Sequence, residues 1–183
     1  MNFEGVSIVE QVCIELAQVV HRPPVCVETG TMYAIEESNL IHTTTNNIFN
    51  FLCRPCGGKL FSLDIDKEHQ EAARTLCYGP DCIYLEGDSV ESLDKLKLHF
   101  SEEQICVDVL WLDSKEFDEA HAVKEFCAIK DCLRPDKHFI MVDDIHNSNS
   151  VKYKWVVPIL KSIGYSYVEI PTPTGLFVSW CGY

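Results

Sequence analysis

The chain has 183 residues, 46% of them apolar, which supports one hydrophobic core of ordinary size and is too short for two typical domains. Acidic residues outnumber basic ones 28 to 15 for a net charge of −13, and no Lys/Arg cluster is visible, which argues against a nucleic-acid partner. No apolar run approaches the roughly 20 residues that cross a bilayer. A single cytosolic domain over residues 1–183, with no membrane partner, is therefore expected.

Glu4, Glu10 and Glu15 interrupt the apolar residues at the start. Val6, Val9, Cys13, Leu16 and Val20 follow helical spacing, so an amphipathic helix is expected there and not a signal peptide. His21-Arg22-Pro23-Pro24 ends it, because proline cannot continue a helix. A short buried strand, Val25 to Val27, runs into Glu28-Thr29-Gly30, and a helix from Asn46 to Leu52 is entered through Thr43-Thr44-Thr45, good capping residues. Gly57-Gly58 turns the chain into a second strand, Lys59 to Leu63, ending at Asp64-Ile65-Asp66. A helix over Lys67 to Leu76 follows, then the turn at Tyr78-Gly79-Pro80-Asp81. The third strand, Cys82 to Leu85, ends at Gly87-Asp88-Ser89, which caps a helix over Val90 to Leu98. The fourth, Val107 to Leu112, is the most apolar and hence central, and it ends at Asp113. A helix over Glu119 to Cys132 stops at Arg134-Pro135. The fifth strand, His138 to Val142, ends at Asp143-Asp144, and the last helix, Tyr153 to Ile163, closes at Gly164. Pro171-Thr172-Pro173-Thr174 is too short for a parallel crossover, so the strands Tyr165 to Ile170 and Gly175 to Trp180 must pair antiparallel. This alternation predicts an α/β, Rossmann-like, doubly wound sheet of seven strands, mostly parallel, with a C-terminal antiparallel hairpin.

Ten cysteines without a secretory signal read as reduced, buried, small apolar side chains. The pairs Cys53/Cys56 and Cys77/Cys82 fall in loops at one end of the expected sheet, where thiolates could also hold zinc or form a redox pair.

Five successive strands finish on or just before an acid: Glu28, Asp64, Glu86/Asp88, Asp113 and Asp143/Asp144. A single acid after a strand is an ordinary turn residue. Five at one rim of a parallel sheet repel one another unless a cation or a donor-rich ligand offsets them, and that rim is where open α/β sheets bind ligands.

The order of elements and the closing hairpin resemble class I S-adenosylmethionine (SAM)-dependent methyltransferases over nearly the whole chain. Glu28-Thr29-Gly30-Thr31 resembles motif I, whose acid holds the loop and whose glycine lets backbone approach SAM. Asp64 resembles the acid that accepts from both ribose hydroxyls, and Gly87-Asp88-Ser89 resembles the segment that meets the adenine. Asp113 with Asp143-Asp144 resembles the ligand set of the small metal-dependent O-methyltransferases of the catechol and macrocin type. That likeness implies Mg²⁺ or Ca²⁺ on these three acids, with Asp113 also near the cofactor, and a small-molecule oxygen as methyl acceptor. Lys115 and His146 are the candidate general bases, against the plainer reading of a surface lysine and a loop histidine. His121, Trp111 and Trp180 read as surface or core residues. After Gly30 the loop carries no second glycine, and an insertion between Met32 and His42 is inferred.

A non-catalytic, methyltransferase-like binding module is the alternative, and a homodimer is left open. No G-x-G-x-x-G follows the first strand and no G-x-x-x-x-G-K-[ST] occurs, so NAD and ATP lack their usual phosphate cradles. Asp113-Ser114-Lys115-Glu116 stands where nucleic-acid methyltransferases carry Asn/Asp-Pro-Pro-aromatic.

Overall fold

In the computed structural model, which describes residues 8–31, 44–77, 79–114, 120–146, 152–172 and 174–182, helix α1 (Ile8–Val19) buries Cys13 and Leu16. Five strands then arise in chain order: β1 (Val25–Thr29), β2 (Lys59–Asp64), β3 (Cys82–Glu86), β4 (Val109–Leu112) and β5 (His138–Val142). The helices between them are α2 (Thr44–Asn47) and α3 (Arg54–Cys56), separated by a π-helical stretch over Ile48–Cys53, then α4 (Lys67–Leu76), α5 (Ser89–Glu103) and α6 (His121–Ile129). Helix α7 (Lys152–Ser162) precedes β6 (Ser166–Ile170) and β7 (Leu176–Cys181).

All seven strands join one sheet in the order β3-β2-β1-β4-β5-β7-β6. β1 pairs parallel with both β2 and β4, while β5–β7 and β6–β7 are antiparallel. The strand order reverses between β1 and β4, and this places the ligand crevice at their carboxyl ends. Alternate strand residues feed two cores. Val27, Phe61 and Leu110 pack against α5, α6 and α7, whereas Cys26, Leu60 and Trp111 pack against α1, the π-helical stretch and α4. Burying both faces explains why these strands read as continuous apolar runs. Among the described residues no helix is long and apolar enough to cross a membrane.

Several boundaries differ from the sequence reading. β1 runs on to Thr29, because its ladder with β2 continues to the pair Thr29–Leu63. β4 begins at Val109 and not at Val107: Val107 forms only an isolated bridge to Leu133, and the next residue, Asp108, still bonds through its backbone to Val25 (2.8 Å) and Phe139 (2.9 Å) while its side chain gathers a further set of partners. Its buried carboxylate accepts from the guanidiniums of Arg22 (2.7 Å) and Arg134 (2.6 Å) and from the Val25 amide (3.0 Å). This knot ties the amino ends of β1 and β4 to the chain after α6. Helix α5 continues past Leu98 to Glu103, since nothing breaks it before Gln104 takes a left-handed conformation (φ 55°). The helix expected over Asn46 to Leu52 starts earlier, passes through the π-helical stretch, and ends only at Gly57 (φ 68°). The expected start of the sixth helix at Glu119, the capping residue Thr43 and the insertion inferred between Met32 and His42 lie outside the described residues.

Candidate functional site

At the carboxyl ends of β1, β2 and β3 the backbone itself makes the frame. The Gly30 amide donates to the Leu63 carbonyl (2.8 Å), and the Gly87 amide donates to the Asp64 carbonyl (2.9 Å). Gly30 stands at φ 82°, and a Cβ there would lie 2.3 Å from the Asp113 carbonyl oxygen. Only glycine lets the turn after β1 pass this close to the end of β4. Gly30, Asp64, Gly87 and Asp113 therefore meet at one rim.

Beneath that rim Glu28 is fully buried. Its Oε2 accepts from the hydroxyls of Thr45 and Ser62, both at 2.8 Å, while Oε1 has no partner among the described residues. Because Ser62 spends its single proton on Glu28, the Thr31 hydroxyl donates to Ser62 (2.7 Å). Glu28 and Thr31 thus brace the first loop and the start of α2 from below. Burial pushes the Glu28 carboxyl up to about 8, against the two hydroxyl bonds, which favour its charge.

Asp64 ends β2 with its side chain nearly buried. Its Oδ1 accepts from the Asp66 amide (2.7 Å), and its Oδ2 lies 3.3 Å from His69 Nδ1. A carboxylate can accept about four hydrogen bonds, so capacity for a vicinal diol remains. The Asp88 carboxylate is used locally: it caps α5 by accepting from the Val90 and Glu91 amides, at 3.0 and 3.1 Å. Ser89 is turned inward, its hydroxyl donating to Glu125 on α6 and lying 2.9 Å from His121 Nε2. In the Gly87-Asp88-Ser89 segment the Ser89 hydroxyl is given to α6, while Asp88 spends only its Oδ1 on the cap.

At the ends of β4 and β5 stand Asp113, Asp143 and Asp144, with a lysine among them. The Lys152 Nζ lies 3.1 Å from Asp113 Oδ1 and 3.9 Å from Asp144 Oδ2. The Lys152 and Asp113 side chains are each only 2% exposed, so this is a buried ion pair. Burial pushes the Asp113 carboxyl upward, and the ammonium opposes that push. Asp143 is engaged on its Oδ1 by the Asp144 amide (2.7 Å) and the Thr174 hydroxyl (3.3 Å), and burial raises its carboxyl too. Three carboxylates have the donor chemistry for Mg²⁺ or Ca²⁺. The fit fails on geometry and charge, because an ammonium already stands against Asp113 and Asp144. Among the described residues no group of three His, Cys, Asp or Glu side chains is placed to hold a metal ion.

Of the two candidate bases, His146 is exposed, packs on Gly175 and donates its amide to the Thr174 carbonyl (2.6 Å). Lys115 lies outside the described residues. None of the ten cysteines is in a disulfide. Cys77 and Cys82, half of the four-cysteine set, are buried thiols pushed up to about 12 by desolvation, which suits packing better than metal binding or redox exchange.

Sequence reasoning passed over Lys152, the most consequential residue of the site. A signal was available: Lys152, Val156 and Leu160 recur at four-residue spacing and form one buried stripe of α7. A lysine on such a stripe must bring its charge to a partner. The Ser89–His121–Glu125 cluster was passed over as well: His121 and Glu125 share an i,i+4 spacing on α6, but Ser89 reaches them from α5.

No protein-family model matches the chain, and no curated protein matches its sequence. Solved structures do match. A Podospora anserina methyltransferase bound to S-adenosylhomocysteine (SAH) superposes with a TM-score of 0.64 at 14% identity, covering 93% of this chain and 76% of that one. A Burkholderia thailandensis protein of an O-methyltransferase family gives 0.61 at 12% identity, covering 94% and 55%. The MycE methyltransferase of mycinamycin biosynthesis, in complex with Mg, SAH and mycinamycin VI, gives 0.57 at 15% identity, and this chain spans 45% of its length. With the sheet order and the rim in place, the chain has the fold of the class I SAM-dependent methyltransferases.

Proposed function

We propose that the chain is a SAM-dependent methyltransferase acting on an oxygen of a small molecule. The observation that carries this reading is the meeting of Gly30, Asp64 and Gly87 at the strand-order switch, held by two backbone hydrogen bonds between adjacent strand ends. SAM supplies an electrophilic methyl group when bound. The chain's part is to hold and align: Asp64 accepts from the ribose hydroxyls, the Gly30 turn offers close backbone, and the segment at Gly87 borders the adenine side. Asp113 closes the crevice from β4. His146, two residues past Asp144, and Lys115 are the residues proposed to take the acceptor proton.

An oxygen acceptor is supported by the structural neighbour of an O-methyltransferase family. No step is routed through a divalent metal, because Lys152 stands among the acids that would bind it. The net charge of −13 speaks for a small molecule over a nucleic acid. Ten cysteines outside any disulfide suit a reducing, cytosolic setting.

The test is to incubate the full chain with SAM and a panel of phenols and sugar alcohols, following SAH and methyl ether by mass spectrometry. Acceptor-dependent formation of both is expected. SAM binding without a methyl ether from any acceptor would favour the alternative of a non-catalytic module, and no SAM binding would contradict the methyltransferase reading.

A further inference from the structure

We propose that Lys152 is the resident cation of the acid cluster at the ends of β4 and β5, a built-in ammonium where a divalent metal would otherwise sit, so that this rim works without Mg²⁺ or Ca²⁺. The proposal concerns the acids and the lysine alone, and it stands whether or not the chain transfers a methyl group.

Three observations carry it. First, the Lys152 Nζ is within 3.1 Å of Asp113 Oδ1 and 3.9 Å of Asp144 Oδ2, so a single positive charge bridges the carboxylates of two strands. Second, the lysine is held there by its element. Lys152 opens α7 on the stripe it shares with Val156 and Leu160, both buried against the sheet, and its own side chain is 2% exposed. A surface lysine could swing aside for an incoming ion, whereas this one would have to leave a packed channel. Third, the turn that carries the two acids after β5 is fixed by its own bonds. Asp144 takes φ 59°, a conformation uncommon for a side-chain-bearing residue, and its amide is fixed to Asp143 Oδ1, which the Thr174 hydroxyl also meets.

A divalent ion would need carboxylate oxygens at about 2.0–2.6 Å. Ligated by Asp113 and Asp144 at such distances, it would press against the Lys152 ammonium, and like charges in a buried site repel strongly. The ammonium and a metal ion would compete for Asp113 Oδ1 and Asp144 Oδ2.

The experiment is a Mn²⁺ titration of the full chain followed by electron paramagnetic resonance, comparing wild type with Asp144→Asn and with Lys152→Met. Wild type and Asp144→Asn are expected to bind Mn²⁺ equally weakly. Lys152→Met, in which the acids lose their ammonium, should bind Mn²⁺ at least about tenfold tighter, and Asp144→Asn added to it should reverse the gain. Wild-type Mn²⁺ binding that Asp144→Asn removes would overturn the proposal, as would a folded Lys152→Met that gains nothing. If Lys152→Met does not fold, the wild-type comparison decides alone: Asp144 is part exposed, and its Asn variant keeps the size of the side chain.

Discussion

Glu28 sets the chemistry of the first loop through a carboxyl that resists ionisation. Its proton is held in the folded chain up to about pH 8, whereas an unfolded glutamate releases it near 4.5. Between those values the folded state binds more protons than the unfolded one, so stability falls as pH rises from about 4.5 to about 8 and then levels off. Glutamine at this position keeps an acceptor for Thr45 and Ser62 and removes the titration. Glu28→Gln is therefore expected to melt with wild type near pH 5 and several degrees above it at pH 8, at roughly 2–4 °C per kcal/mol for a domain of this size. A Tm difference independent of pH, measured by calorimetry, would refute this. At the same scale the sequence was readable in identity but not in direction. Glu28, Asp64 and Asp113 stand out as strand-end acids from spacing alone. That Glu28 points down at two hydroxyls, and that Asp113 points at a lysine, depends on partners 17 to 39 residues away.

At the scale of elements, the starts of helices decide how the rim is finished. Asp88 caps α5 with one carboxylate oxygen shared by two amides, and α5 packs on β2 and α6 beside the site. Asp88→Ala should cost about 1 kcal/mol of stability, and Asp88→Ser should restore most of it, because serine also caps. Urea denaturation checks this, and equal stability of all three would mean that the cap is idle. Strands and helices were legible wherever apolar periodicity and a stop signal agreed, as in β2, β5 and α4, whose observed limits lie within a residue of the expected ones. They were less legible at β4, which starts at Val109, two residues later than its apolar run. The Asp108 side chain draws two guanidiniums and a backbone amide to itself, partners supplied by Arg22, Arg134 and Val25 and invisible in the run Val107 to Leu112.

For the whole molecule, parallel β1–β5 and the antiparallel β7–β6 pair bring the strand-end acids to one edge, and the chain meets their mutual repulsion in three ways. Glu28 stays protonated over most of the ordinary pH range, Asp88 and Asp143 turn to amides, and Asp113 and Asp144 share the Lys152 ammonium. Asp64 retains acceptor capacity toward the crevice, which makes it the residue on which nucleoside recognition rests. The rim as a whole was foreseeable because parallel strands must end together; the internal cation was not, because it arrives on α7 from far along the chain.

Calorimetric titration of SAH into the full chain, beside Asp64→Ala, tests this most directly. Wild type should bind one SAH per chain, and the variant should keep its fold yet bind about 10- to 100-fold more weakly, as expected for losing hydrogen bonds to a charged acceptor. Equal affinity in both proteins, or no affinity in wild type, would contradict the assignment of this crevice.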